Sequence, residues 1–143
     1  MTTKHQVKEG DIIAIPFDDQ RVAAALILHV SKVFRNAILI GIYEQVFPSI
    51  DAIDLQTLGG PFIGVPNYTG KQMVRDGDWP VIGNSAALFA AATIPELRVV
   101  DTVYYKDTPV RLLSAEEEAR YPVHTVAGKG YVEQTLQQHF GKR

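Results

Sequence analysis

The sequence predicts an α+β fold, mostly antiparallel β, in which a twisted or partly closed sheet is joined by a short helix near 115–120 and a C-terminal helix. Three observations predict it. Short runs of apolar and β-branched residues follow one another between Ile12 and Tyr43, separated by turn chemistry. The middle of the chain, Phe47 to Tyr68, holds Pro48, Pro61, Pro66, Gly59, Gly60 and Gly64, and such a density of breakers disfavours long regular elements. Helical spacing is clear near the end, where Tyr131, Thr135, Leu136 and His139 or Phe140 recur after Gly130.

Taken in order, Gly10-Asp11 opens a first strand, Ile12 to Ile15, that Pro16 closes, and Phe17-Asp18-Asp19-Gln20 reads as a polar turn. Arg21 to Val33 is a second strand, the polar residues from Ser31 to Asn36 a second turn, and Ala37 to Tyr43 a third strand. Together they predict a three-strand antiparallel meander. A helix is the rival for Val22 to Val30, because Ala23-Ala24-Ala25-Leu26 has high helix propensity. The neighbouring strands and the turn spacing favour the strand. Phe62 to Val65 fits an edge strand, Thr69 to Asp76 a helical turn ahead of Gly77, and Trp79 to Ile82 a further strand.

Ser85 to Thr93 is alanine-rich and reads as loop or short helix. Leu97 to Tyr105 reads as one strand, with Val110 to Leu113 pairing back across Lys106-Asp107-Thr108-Pro109. Ser114-Ala115-Glu116-Glu117 has the form of a capping box, so a short helix starts there and stops before Pro122. The C-terminal helix has about three turns, a common length.

A chain of 143 residues falls in the single-domain range, where about 68–70% of the unfolded surface is buried on folding. One domain over residues 1–143 is therefore expected. The longest apolar run, Val22 to Val30, is broken by His29 and falls well short of the roughly 20 residues of a spanning helix, so no membrane is expected. The Met1-Thr2-Thr3-Lys4-His5 start lacks the apolar segment of a secretory signal. The absence of cysteine excludes disulfides and thiolate chemistry and fits a reducing cytoplasm. Fourteen basic against sixteen acidic residues give a net charge of -2 without a basic stripe, which argues against nucleic acid as partner.

The residues that carry chemistry elsewhere do not form a constellation here. His5, His29, His124 and His139 are too scattered for a paired-ligand motif, and His29 in an apolar strand fits a hydrogen-bonded core or edge residue. Gly128-Lys129-Gly130 resembles half a phosphate loop, but only thirteen residues follow it, too few for the next strand. Ser85 lacks the glycine frame of a nucleophile elbow and reads as a turn serine. The acid pairs Asp18-Asp19, Asp51 with Asp54, and Asp76 with Asp78 sit in predicted turns, where solvated or partner-facing carboxylates are the rule. Trp79 is the sole tryptophan, held extended by Pro80, and fits a core anchor whose indole N–H finds a carbonyl, with a binding hot spot as the alternative. Glu116-Glu117-Glu118 is a first-turn acidic cluster that the helix dipole favours. No cofactor or metal is expected.

Two signatures carry a resemblance: Lys8-Glu9-Gly10-Asp11-Ile12-Ile13-Ala14-Ile15-Pro16-Phe17, followed after a turn by the strand from Arg21, and Gly77-Asp78-Trp79-Pro80-Val81-Ile82-Gly83-Asn84. With the strand-then-capped-helix ending, they resemble the immunity protein 26 family of bacterial polymorphic toxin systems. The resemblance implies a small cytoplasmic antidote that binds a cognate toxin domain and blocks it, without catalysis of its own. The matched positions Gly10, Asp11, Ile15, Pro16, Trp79, Pro80, Ile82 and Gly83 are apolar or turn-forming, so the resemblance implies an architectural role for them and assigns no toxin contact. Ala23-Ala24-Ala25 departs from the glycine-containing alternation expected there.

The surface acids Asp18, Asp19, Glu44, Asp51, Asp54, Asp76 and Asp78 are the candidate partner-binding residues. Between positions 44 and 78 five acids stand against Lys71 and Arg75, a local charge of 2 minus 5, or -3. Such a field would steer a basic toxin. The rival expectation is a small-molecule-binding or enzymatic domain with a pocket in the Gly/Pro-rich middle lined by Tyr43, Tyr68 and Trp79. An accessory role in a larger assembly is a third.

Overall fold

The computed structural model describes residues 7–32, 36–64, 66–99, 102–112, 114–118 and 128–141. Three long strands, β1 (Asp11–Asp18), β2 (Arg21–Val30) and β3 (Ala37–Phe47), form the expected antiparallel meander. Two short strands, β4 (Asn67–Gly70) and β5 (Val81–Asn84), extend it to five in the order β4-β3-β2-β1-β5, every pair antiparallel. The sheet stays open. The fold is α+β, with α1 (Gln72–Arg75), α2 (Ala86–Ala91), α3 (Ala115–Glu118) and α4 (Lys129–Phe140).

The centre of the sheet explains the alanine run. Strand β2 is covered on both faces, so it reads as continuously apolar rather than alternating. Ala23, Ala25 and Ile27 share one cluster with Ile13, Ile15 and Phe17, roofed by Met73 and Val74 of α1, by Trp79 and by Val132 and Leu136 of α4. Ala24, Leu26 and Leu28 share the opposite cluster with Ile12, Leu39, Tyr43 and Tyr68, covered by Leu58 and by partly buried Ile53, Leu55, Phe62 and Leu88. Burial on both faces overrides the helix propensity of three consecutive alanines.

Close approach on the second face is visible at Gly41, where an added Cβ would lie 2.7 Å from the Phe62 ring. That ring packs 5.0 Å from Tyr43, and Phe62 and Tyr43 form an isolated antiparallel bridge. The expected edge strand at 62–65 is thus a single bridge at Phe62, with Val65 outside the described residues.

Two further expectations are corrected. The segment from Thr69 is not all helical turn: Asn67–Gly70 is strand, paired from Ala37↔Gly70 to Ile40↔Asn67, and the helix begins only at Gln72. Its strand character comes from the open edge of β3. Leu97 to Tyr105 is not one strand but two, β6 (Glu96–Val99) and β7 (Thr102–Tyr105), antiparallel with Val99 opposite Thr102. Strand β8 (Thr108–Leu112) pairs with β7 across a two-residue turn, Lys106-Asp107, in which Lys106 has φ 56. These three strands form a second small sheet. Ser85 caps α2 by accepting from the Leu88 amide at 3.1 Å, which makes the alanine-rich stretch a helix. Helix α3 lies where the capping box places it, although the Glu117 side chain and Pro122 lie outside the described residues.

The small sheet is fastened to the large one at the turn of β7 and β8. Ser31 Oγ donates to Asp107 Oδ1 at 2.6 Å and the Lys32 amide to Oδ2 at 2.8 Å. His29, 8% exposed, sets Nδ1 2.8 Å from Glu9 Oε2. Its Nε2 lies 3.1 Å from Asp107 Oδ1, a close contact without hydrogen-bond alignment. Burial pushes the Asp107 carboxyl up, but the Ser31 hydroxyl, the Lys32 amide and His29 together hold it below its ordinary value.

Tyr68 Oη donates to the Lys106 carbonyl at 3.3 Å across the same junction. Burial first, and then the Asp107 and Tyr104 charges, push its phenol from 10.0 to about 12. A raised phenol holds its proton more tightly folded than unfolded, so its contribution is complete below pH 10.0 and is lost as pH rises toward about 12. In a tyrosinate absorbance titration, Tyr68 is expected to ionise after the exposed tyrosines. Burial raises the Tyr43 phenol as well, so Tyr68→Phe should take one tyrosine out of the late step, and an unchanged curve would contradict the assignment.

Candidate partner-binding surface

The seven candidate acids lie on different parts of the sheet. Asp18 and Asp19 form the β1–β2 turn. Asp18 Oδ1 accepts the Gln20 amide at 2.9 Å, and its Oδ2 lies 2.6 Å from Arg21 Nε. The Gln20 amide, with the Arg21 guanidinium behind it, holds the Asp18 carboxyl below its ordinary value. Glu44 stands on β3 and faces His139 of α4, with Oε1 3.2 Å from Nε2. Asp76 and Asp78 are exposed in the link between α1 and Trp79. All three therefore flank the face roofed by α1, α4 and the indole.

Asp51 and Asp54 belong to the opposite face. Asp51 lies in a 3-10 helix, Ile50–Ala52, and Asp54 closes the turn after it by accepting the Gln56 amide at 2.9 Å. The structure thus does not gather the acids of 44–78 into one patch, and the -3 read along the chain is divided between two faces.

Two shallow depressions open on the Asp51 side. One, of about 260 Å³, is walled by Tyr43, Pro61, Phe62, Leu88, Ala91 and Ala92. The other, of about 370 Å³, is lined by Ile50, Asp51, Ile53, Leu55 and Ile82. Helix α2, which supplies part of the first wall, carried no functional signal in the sequence; the Ser85 cap is the feature that would have placed it. Tyr43 and Tyr68 lie in the cluster on this face, whereas Trp79 is fully buried in the other. The three aromatics expected to share a pocket do not converge.

The signature residues sit at turns and in the core. Gly10 takes φ 87 in the turn before β1, and the 2%-exposed Asp11 accepts from the Lys8 amide at 2.9 Å and from Asn84 Nδ2 at 3.0 Å. Ile15 is buried, Pro16 pairs opposite Val22, and the Pro80 carbonyl accepts the Ala14 amide at 2.9 Å. Ile82 packs on the second cluster, and Gly83 leaves room for the Leu55 side chain. The Trp79 indole N–H donates to Glu133 Oε2 of α4 at 3.1 Å, a carboxylate rather than the expected carbonyl. Among the described residues no three His, Asp or Glu side chains are arranged to hold a metal ion, and no helix is long and apolar enough to cross a membrane.

The sheet is open and covered on both faces, six of the seven candidate acids stand at turns or in loops with Glu44 on β3, and the two depressions are shallow. The family model for immunity protein 26 matches residues 8–106, and the chain belongs to that family. Neither the curated proteins nor the solved structures contain a match to it.

Proposed function

We propose that this chain is an immunity protein that binds one cognate bacterial toxin domain and neutralises it by occluding its active site. In this reading it acts in the cytoplasm of the toxin-producing cell and its kin, as the antitoxin of a polymorphic toxin system used in bacterial competition, and performs no chemistry of its own. The carrying observation is the family match over residues 8–106. The physical support is that the central strands are buried on both sides, so the shape exists before the partner arrives. A preformed surface loses little entropy on docking, and a specific interface of about 1,200–2,000 Å² in total fits a chain of this size.

The test is co-expression with the toxin domain encoded beside it. Growth is expected to be arrested by the toxin alone and restored when this chain is present. Undiminished toxicity in the presence of the folded chain would overturn the reading.

A further inference from the structure

We propose that the toxin docks on the face built by residues 50–62 and α2, and that it brings there an arginine or lysine whose stem lies on Ile50, Ile53, Leu55 and Ile82 while its cation meets Asp51. This rests on the immunity reading and adds the docking face and the chemistry of the partner.

The charge of that face carries the argument. Residues 47–64 and 85–95, which supply its cover, contain Asp51 and Asp54 and no lysine, arginine or histidine. The opposite side mixes signs, with Lys71, Arg75, Lys129 and His139 among Asp76, Asp78, Glu44 and Glu133. There Glu44 already faces His139, and Glu133 lies 3.1 Å from Lys129. Asp51 has no partner among the described residues.

The shape fits the same occupant. The depression sets the Asp51 carboxylate among the aliphatic side chains of Ile50, Ile53, Leu55 and Ile82, a combination that suits a side chain with a hydrocarbon stem and a charged tip. A short aliphatic residue would leave the carboxylate unpaired, and an acidic one would be repelled. The neighbouring depression beside α2 has no charged wall and takes an apolar side chain of the same toxin segment. Charge on this face also raises the encounter rate with a basic partner.

The experiment measures binding of the toxin domain encoded beside this chain, by calorimetry at low and at physiological salt. Circular dichroism melts check that each variant folds. Asp51→Lys is expected to weaken binding by at least about tenfold and to flatten its salt dependence. Asp51→Asn should lose less, and Ala91→Arg, at an exposed helix position beside the apolar depression, should also lose at least about tenfold. Asp78→Lys, on the other side, should bind within about twofold. If the unmodified chain protects and binds but Asp51→Lys and Ala91→Arg bind equally well, the docking face is wrong and the immunity reading stands. If Asp78→Lys alone weakens binding, the face is likewise wrong. If the unmodified chain neither binds nor protects, both readings fall together.

Discussion

Replacing Trp79 with alanine is expected to lower the unfolding free energy by about 3–5 kcal/mol, the range for removing a fully buried large aromatic. The side chain is 0% exposed and sits among Ile13, Ile15, Ala25, Met73 and Leu136 in one cluster. Its backbone amide donates to the Met73 carbonyl at 3.1 Å, and its indole N–H donates to Glu133 at 3.1 Å, so it joins α1, the sheet and α4 at one point. Such a loss is a large part of the usual stability of a domain this size. Trp79→Phe keeps most of the ring but forfeits the bond to the carboxylate, and a smaller loss of about 1.5–3 kcal/mol is expected. Urea unfolding followed by circular dichroism measures both. A loss for Trp79→Ala within about 0.5 kcal/mol, the range of surface substitutions, would show that the residue is not the anchor its burial makes it.

The meander was legible because its signals are local. Gly10-Asp11, the Asp18-Asp19-Gln20 turn and β-branched runs of strand length need no partner to be read. Strand β4 was illegible for the opposite reason. In Asn67-Tyr68-Thr69-Gly70 only two β-favouring residues stand between an asparagine and a glycine, too short a run to announce a strand, and its conformation comes from pairing along the edge of β3. The β6–β7 reversal was hidden because Leu97 to Tyr105 contains no glycine or proline, the residues that mark most turns. The partner of the indole was equally invisible, since Glu133 is 54 positions away and is brought near only by the docking of α4.

The candidate surface was legible as a set of residues and illegible as a place. Exposure of Asp19, Asp51, Asp54, Asp76 and Asp78 follows from their turns and loops, but the side of the sheet that each acid faces, Glu44 on β3 included, depends on strand parity and on β-bulges. The pairing jumps from Ala23↔Val46 to Ala25↔Ile42, leaving Tyr43, Glu44 and Gln45 opposite Ala24 alone. Glu44 is thereby set on the α4 side while Asp51, seven positions on, lies across the sheet. A count of charges between 44 and 78 cannot see that division. It also cannot see that α2, which carries no charge at all, belongs to the acid-bearing face.

Loss of α4 should be as damaging as loss of the indole, even though the helix lies beyond residue 106, where the family match ends. Val132 and Leu136 are buried in the same cluster as Trp79, and Phe140 stacks on Phe17 with ring centroids 5.7 Å apart. Polar bonds pin the end of the helix. Gln137 Nε2 donates to the Phe17 carbonyl at 2.6 Å, and Arg21 Nη1 donates to the Phe140 carbonyl at 3.2 Å. Helix propensity cannot hold twelve residues in place alone, so the apolar contacts must do it. Leu136→Ala is expected to lose about 2–5 kcal/mol in urea unfolding. A chain ending at residue 127 should expose Ile13, Ile15, Phe17 and Trp79 together, shift the single tryptophan emission to the red, and lose its cooperative transition. Because the toxin face proposed above lies on the other side of the sheet, these changes should reduce toxin binding only as far as they reduce the folded fraction. A truncated chain that unfolds with an unaltered midpoint would mean that the matched segment closes its own core and that α4 is an appendage.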